Sequence, residues 1–110
     1  MGLFAKPRHS EITPAELKRM LDKGVVVVVD VREPKEFVQG HIPGAVNLPL
    51  SSFSPDKLPN AMGKKLVLNC LGGKRSGAAL DKCAKAEALV DTHLAGGFGA
   101  WSKAGLPVER

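Results

Sequence analysis

Val25–Val31 reads VVVVVDV, five consecutive valines and then an aspartate and a sixth valine. Strict alternation of apolar and polar residues would mark a strand with one wet face. A continuous β-branched run instead predicts a strand covered on both faces, as in the interior of a parallel sheet. Asp30 and Arg32 fall at its C-terminal end, where the chain leaves into a short Pro34-led helix, PKEFVQ, stopped by Gly40.

Upstream, Ser10 to Ile12 reads as a short extended piece. Thr13-Pro14-Ala15-Glu16 then combines an N-cap threonine, proline at the first helical position and a glutamate three residues on, predicting a helix to about Asp22, closed by Gly24. Ile12 and Leu17 bracket that cap as a hydrophobic staple. Downstream, HIPGAVNLP predicts a turn at Pro43-Gly44 and a brief strand over Ala45–Leu48, and Ser51–Asn60 a loop with a helical turn. Lys64–Asn69 (KKLVLN) reads as another apolar strand. Ser76 to about Leu89 carries the longest helical pattern, with Ala79, Cys83, Ala86 and Val90 on one stripe and Leu80, Ala84 and Ala88 beside it. Val90–Leu94 predicts a last strand, and Gly96-Gly97-Phe98-Gly99 leads into a short helix holding Trp101. Strands alternating with helices imply an α/β sandwich around a mostly parallel sheet, whose ligands bind beyond the strand C-termini.

At 110 residues the chain predicts a single domain, 1–110, and its 44% hydrophobic and 25% charged residues fit a globular protein. The net charge of +5 is scattered from Lys6 to Arg110, with no basic block interleaved with aromatics, so a nucleic-acid partner is not expected. A diffuse positive field favours small anions. No apolar stretch approaches the roughly 20 residues of a membrane span. The start MGLFAKPRHSE shows neither a signal-peptide centre nor a myristoylation serine or threonine at position 6, and a cytoplasmic location is the expectation. Two cysteines and three separated histidines, His9, His41 and His93, predict neither a disulfide scaffold nor a metal site.

The strand Lys64–Asn69 delivers the chain to NCLGGKRSGAAL, residues 69–80. With a helix starting at Ser76, residues 70–75 must reverse direction in a short loop, and Gly72 and Gly73 supply the backbone freedom. Their N–H groups and those of the helix start predict a concave anion nest. A lone cysteine at a strand end reads first as a small buried filler. At the mouth of such a nest it is a different reagent, its pKa drawn from about 8.5 into a range of roughly 3.5–7.5. Lys74 and Arg75 add charge, Arg75 with a fork able to hold two oxygens of an oxyanion. Ser76 is a candidate N-cap or a donor to a sulfur anion.

TPAEL near the N-terminus, DVREPKEFVQGHIPGAVNLP over Asp30–Pro49, CLGGKRS, and GGFGAW over Gly96–Trp101 stand in the order found in the rhodanese-like sulfurtransferases, and the chain resembles their single-domain type along nearly its whole length. The resemblance implies a three-layer α/β/α fold around a five-stranded sheet. It also implies a cysteine nucleophile that takes a sulfane sulfur from a donor such as thiosulfate and passes it to cyanide or a thiol, without a cofactor. Cys70 stands at the nucleophile position, and Leu71, Gly72, Gly73, Lys74, Arg75 and Ser76 match the substrate-binding loop, with Asp30 and Arg32 supporting. The partners this implies are small sulfur-containing anions or thiols, or a sulfur-acceptor protein. Cysteine phosphatases and arsenate reductases, which share this fold, use a loop longer by one residue; Cys70 and Arg75 are separated by four, a tighter pocket that suits sulfur. A non-catalytic rhodanese-like binding module is the other alternative, although such modules commonly lack the cysteine.

Cys83 lies roughly 10 Å along the helix from Ser76, while bridged cysteines need Cα atoms about 4.4–6.8 Å apart, so it reads as a core thiol. Asp30 and Arg32 are expected to pair with each other, with Glu36 or with the loop backbone, holding the site's shape. His41 reads as structural, since a thiolate nucleophile needs no base. Trp101 is expected to pack the last helix onto the sheet, with Phe98 or Trp101 as a candidate border of the pocket.

Overall fold

The computed structural model describes residues 9–110; residues 1–8, most of the stretch read for leader and lipid signals, lie outside them. The elements run β1 (Ser10–Ile12), α1 (Pro14–Lys23), β2 (Val26–Asp30), α2 (Pro34–Gln39), β3 (Val46–Asn47), β4 (Lys65–Asn69), α3 (Lys74–Lys85), β5 (Thr92–Leu94) and α4 (Gly97–Lys103). Two 3-10 turns, Leu50–Ser52 and Pro55–Lys57, occupy the loop between β3 and β4. The strands form one five-stranded sheet in the order β1-β5-β4-β2-β3. Every pairing is parallel, with β2 between β4 and β3. No helix among the described residues is long and apolar enough to cross a membrane.

The two-residue period of a strand divides each central strand between two apolar layers. Val26 and Val28 of β2, Val67 of β4 and Leu94 of β5 pack with Leu17 of α1 and Trp101 of α4. Val29, Val31, Leu68 and Cys70 face the other way, onto Ala79, Leu80 and Cys83 of α3 and onto Phe53. The uninterrupted valine run is thus explained: both faces of β2 are roofed by helix, giving a three-layer α/β/α sandwich. Trp101 is fully buried and its indole N–H donates to the Pro107 carbonyl at 2.7 Å.

Helix α1 begins with the cap its sequence encodes. The Glu16 N–H donates to Thr13 Oγ1 at 3.1 Å, and the Thr13 N–H donates to Glu16 Oε1 at 2.8 Å. Gly24 closes the helix in the left-handed region, φ +69°.

Helix α3 departs from expectation at both ends. It starts at Lys74 because Gly73, at φ +109°, is itself the N-cap, so Ser76 lies inside the first turn and is not the cap. It stops at Lys85, short of Leu89, and the predicted stripe is buried at Ala79 and Cys83 while Ala84 and Ala86 are exposed. The stop is a Schellman motif: the Ala88 N–H donates to the Cys83 carbonyl at 2.8 Å and the Glu87 N–H to the Ala84 carbonyl at 3.0 Å. That motif places Glu87 at φ +58°, where glycine is the usual occupant. Periodicity cannot show such a stop, because the alanines beyond it continue the pattern. Glu87→Gly is expected to raise stability by about 0.5–1 kcal/mol in urea unfolding, whereas Glu87→Ala, which keeps a Cβ, brings no such gain.

Candidate active site

β4 ends at Asn69, and the backbone turns through Cys70–Gly73 into α3 at the C-terminal edge of the sheet. Cys70 is only 1% exposed, so its thiol has left water and depends on groups around it. The Gly73 N–H donates to Cys70 Sγ at 3.0 Å, and Ser76 Oγ stands 3.5 Å from the same sulfur. Burial by itself pushes the thiol pKa up. The Ser76 hydroxyl and the N–H groups of Ser76, Gly73 and Gly72 outweigh that and hold it below the ordinary cysteine range. The predicted nest therefore exists, aimed at sulfur. Leu71, Gly72 and Lys74 lie exposed around it.

The outer wall of the loop is backbone. The N–H groups of Phe98 and Gly99 donate to the carbonyls of Cys70 and Leu71 at 2.7 and 2.9 Å. A Cβ on Gly97 would meet the Cys70 carbonyl oxygen at 2.3 Å and the Leu71 carbonyl oxygen at 2.5 Å, so α4 docks this closely only because that residue has no side chain.

Asp30 and Arg32 pair with each other. Both are buried, and Arg32 reaches the Asp30 carboxylate through Nε and Nη2, the latter at 2.8 Å. Asp30 also accepts from the Arg32 N–H at 2.9 Å, and Arg32 Nη2 donates to the Gly40 carbonyl at 2.8 Å. The guanidinium lies 4.4 Å from the centroid of the Phe98 ring, on the segment whose N–H holds the Cys70 carbonyl. Phe98 thus borders the loop through Arg32, and Trp101 belongs to the core on the opposite face of the sheet.

The expectation of a free Arg75 fork is corrected. Its two terminal nitrogens donate to Glu36 of α2 at 2.7 and 2.9 Å, so the fork is already engaged within the protein. The short Pro34–Gln39 helix presents that carboxylate, which the sequence reading offers as a partner for Asp30 and Arg32 and which pairs with Arg75 instead. Lys74, at the start of α3, is exposed.

His93 is a site neighbour that the sequence reading did not single out. Its Nδ1 lies 2.7 Å from Ser76 Oγ. It sits on a strand without a recognisable motif, and only the sheet register brings it under α3. His41 packs instead against Phe37, ring centroids 3.8 Å apart, with Nδ1 2.8 Å from the Phe37 carbonyl. Cys83 is buried in the α3 core, and burial pushes its thiol pKa up. Among the described residues no three or more His, Cys, Asp or Glu side chains cluster as metal ligands.

Gly97→Ala is expected to destabilise the protein by more than about 2 kcal/mol in thermal or urea unfolding, since backbone must move to admit the methyl group. Gly105→Ala is the control: with φ +74° and open space around it, it costs only the left-handed penalty of about 1 kcal/mol. The Arg75 pair holds the Glu36 pKa down at about 2 from 4.5, so its stabilisation is complete above pH 4.5 and is lost as pH falls toward 2. Because both side chains are one-third exposed, solvent limits the effect to about 1 kcal/mol or less. Glu36→Gln should flatten stability across that window in urea unfolding measured against pH.

The family model for the rhodanese-like domain matches residues 13–104. An uncharacterised protein of Synechocystis sp. is 47% identical over 99 residues, covering 90% of this chain and 55% of that protein, so the chain spans about half its length. A sulfurtransferase of Allochromatium vinosum is 32% identical over 91 residues, covering 83% of this chain and 85% of that protein. The crystal structure of a rhodanese-related protein from Thermoplasma volcanium superposes with a TM-score of 0.77 at 29% identity, covering 91% of this chain and 97% of that one. With the sheet order, the cysteine loop and the matched segments in agreement, the chain belongs to the rhodanese-like domain family.

Proposed function

We propose that this domain is a sulfurtransferase in which Cys70 carries a sulfane sulfur as a persulfide. The observation that carries the reading is the convergence of the Gly73 N–H, the Ser76 hydroxyl and the first turn of α3 on one buried sulfur. These donors stabilise an anion at the end of the Cys70 side chain, whether thiolate or persulfide.

With thiosulfate as donor, the Cys70 thiolate attacks the sulfane sulfur. A new S–S bond forms to Cys70, the donor's S–S bond breaks, and sulfite leaves with the bonding electron pair. The outer sulfur of the resulting persulfide keeps the negative charge beside the nest. Attack on it by cyanide or by a thiolate acceptor forms thiocyanate or a new persulfide and returns the Cys70 thiolate, a two-step covalent cycle. Lys74, exposed at the loop, attracts the anionic donor. Arg75, held by Glu36, fixes the base of α3 and adds positive charge nearby.

A phosphatase reading needs room for a tetrahedral oxyanion over the thiol. The loop here separates Cys70 from Arg75 by four residues, one fewer than in the cysteine phosphatases, and the shorter loop favours sulfur over a tetrahedral oxyanion. As sulfur acceptor, a small thiol or an acceptor protein both fit this chemistry.

Intact-mass analysis after thiosulfate treatment should show a one-sulfur gain on wild type, its removal by cyanide, and no gain on Cys70→Ser. Folded wild type that never gains sulfur would sink the reading in favour of a binding module. Hydrolysis of an aryl phosphate, lost in the same variant, would reverse it in favour of a phosphatase.

A further inference from the structure

β1, β5 and β4 lie side by side in parallel register, with Glu11 beside His93 and His93 beside Leu68. Leu68 faces α3, and Cys70, two residues further on and just past the end of β4, faces the same way. The period of two therefore sets Glu11, His93 and Cys70 on one face of the sheet, beneath the first turn of α3. From that turn Ser76, itself fully buried, fills the gap. Its Oγ lies 3.5 Å from Cys70 Sγ and 2.7 Å from His93 Nδ1. On the far side of the ring, His93 Nε2 stands 3.5 Å from the Glu11 carboxylate. Thiol, hydroxyl and imidazole make a chain of hydrogen-bonding contacts from the buried sulfur, and the Glu11 carboxylate stands beyond it at the edge of the sheet, where Glu11 is exposed.

We propose that His93, acting through the Ser76 hydroxyl, takes up the proton of the Cys70 thiol and so sets the ionisation of the nucleophile. This deepens the sulfurtransferase reading and rests on it only for its biological use. The Cys70 S–H proton passes to Ser76 Oγ as the Ser76 O–H proton passes to His93 Nδ1. No proton is gained or lost, and the products are a thiolate and an imidazolium. In the product state the Nδ1–H donates to Ser76 Oγ, and the Ser76 O–H, now turned round, donates to the thiolate. The Glu11 carboxylate, 3.5 Å from Nε2, favours the proton on that nitrogen in both states, which leaves Nδ1 the acceptor at rest. His93 touches no substrate; it is a positioning residue for the proton.

Burial and His9 favour a neutral imidazole at rest and outweigh the opposing Glu11 carboxylate. Burial pushes the His93 pKa down, Glu11 works against that, and His9 adds to the depression. The His9 ring packs edge-on at 5.8 Å between centroids, and its own Nε2 lies 2.8 Å from Asp81 of α3. Leu68 of β4 and Gly73 and Gly77 of α3 bring no charge to the ring. With the proton on Nε2, a lone pair faces Ser76 at 2.7 Å, closer than the alternative acceptor for the same hydroxyl, the Gly73 carbonyl at 3.2 Å. The chain also answers a need particular to this site. A thiol with almost no exposed surface cannot hand its proton directly to water.

The test is the pH dependence of Cys70 ionisation, read by iodoacetamide alkylation with peptide mapping to separate Cys70 from Cys83, and by thiolate absorbance against Cys70→Ser. Wild type should titrate in two coupled steps. His93→Asn, which keeps a hydrogen-bonding group near Ser76 but cannot hold the proton, should lose the lower step and react about tenfold more slowly at neutral pH, the size of a lost hydrogen bond to a charged group. Ser76→Ala, which leaves His93 in place, should do the same. Should the His93 variant fold poorly, the serine variant and the wild-type profile decide. A single-step wild-type profile overturns the relay, as does an unchanged or faster reaction in the folded variants. If that result accompanies normal sulfur loading from thiosulfate, the relay alone fails. If the variants slow as expected but wild type never loads sulfur, the relay stands and the sulfurtransferase reading falls.

Discussion

A carboxylate with no exposed surface cannot stay charged without a partner, and Asp30 stands at the C-terminal end of a strand buried on both faces. Its partner, Arg32, is bonded to it through two guanidinium nitrogens and the backbone N–H. Because Arg32 must come back over Asp30, the chain leaving β2 takes one course. The guanidinium that results binds the Gly40 carbonyl and lies against Phe98. Through Phe98 the pair reaches the Cys70 carbonyl, so the end of β2, the start of α4 and the cysteine loop are held as one body. Breaking one half of such a buried pair typically costs 3–5 kcal/mol, far more than a surface ion pair.

The site on this frame is built mainly from backbone. N–H groups of the turn and of the first turn of α3 point at the Cys70 sulfur, and the N–H groups of Phe98 and Gly99 hold the carbonyls on the outside. Backbone donors cannot swing away as a lysine can, so the stabilisation of a sulfur anion is organised before any substrate arrives. Around it the cations are unequal: Arg75 is locked to Glu36, and Lys74 remains at the surface. One cation thus shapes the site while the other faces the solution.

Much of the fold was legible because it was written in short-range signals. The valine run, the Thr13-Pro14-Ala15-Glu16 box and Pro34–Gln39 before Gly40 each report a local physical requirement, and β2, α1 and α2 lie where those signals put them. The ends of α3 were less legible for equally physical reasons. A glycine in the left-handed region can cap a helix three residues before Ser76, and a glutamate can take the left-handed position that usually marks a stop by being glycine.

The sequence by itself determined that the chain would form a parallel α/β sandwich and that Cys70 would emerge from a strand into a glycine turn, because β-branching, capping chemistry and glycine spacing act within a few residues. Tertiary structure alone decided which side chains meet there. Arg75 meets Glu36 across 39 positions, and Ser76 meets His93 across 17. Such pairings depend on sheet order and on which face each strand residue takes, and β5 comes to lie between β1 and β4 only when the whole sheet closes. His93 carries no local mark of its place because its neighbours are set by register.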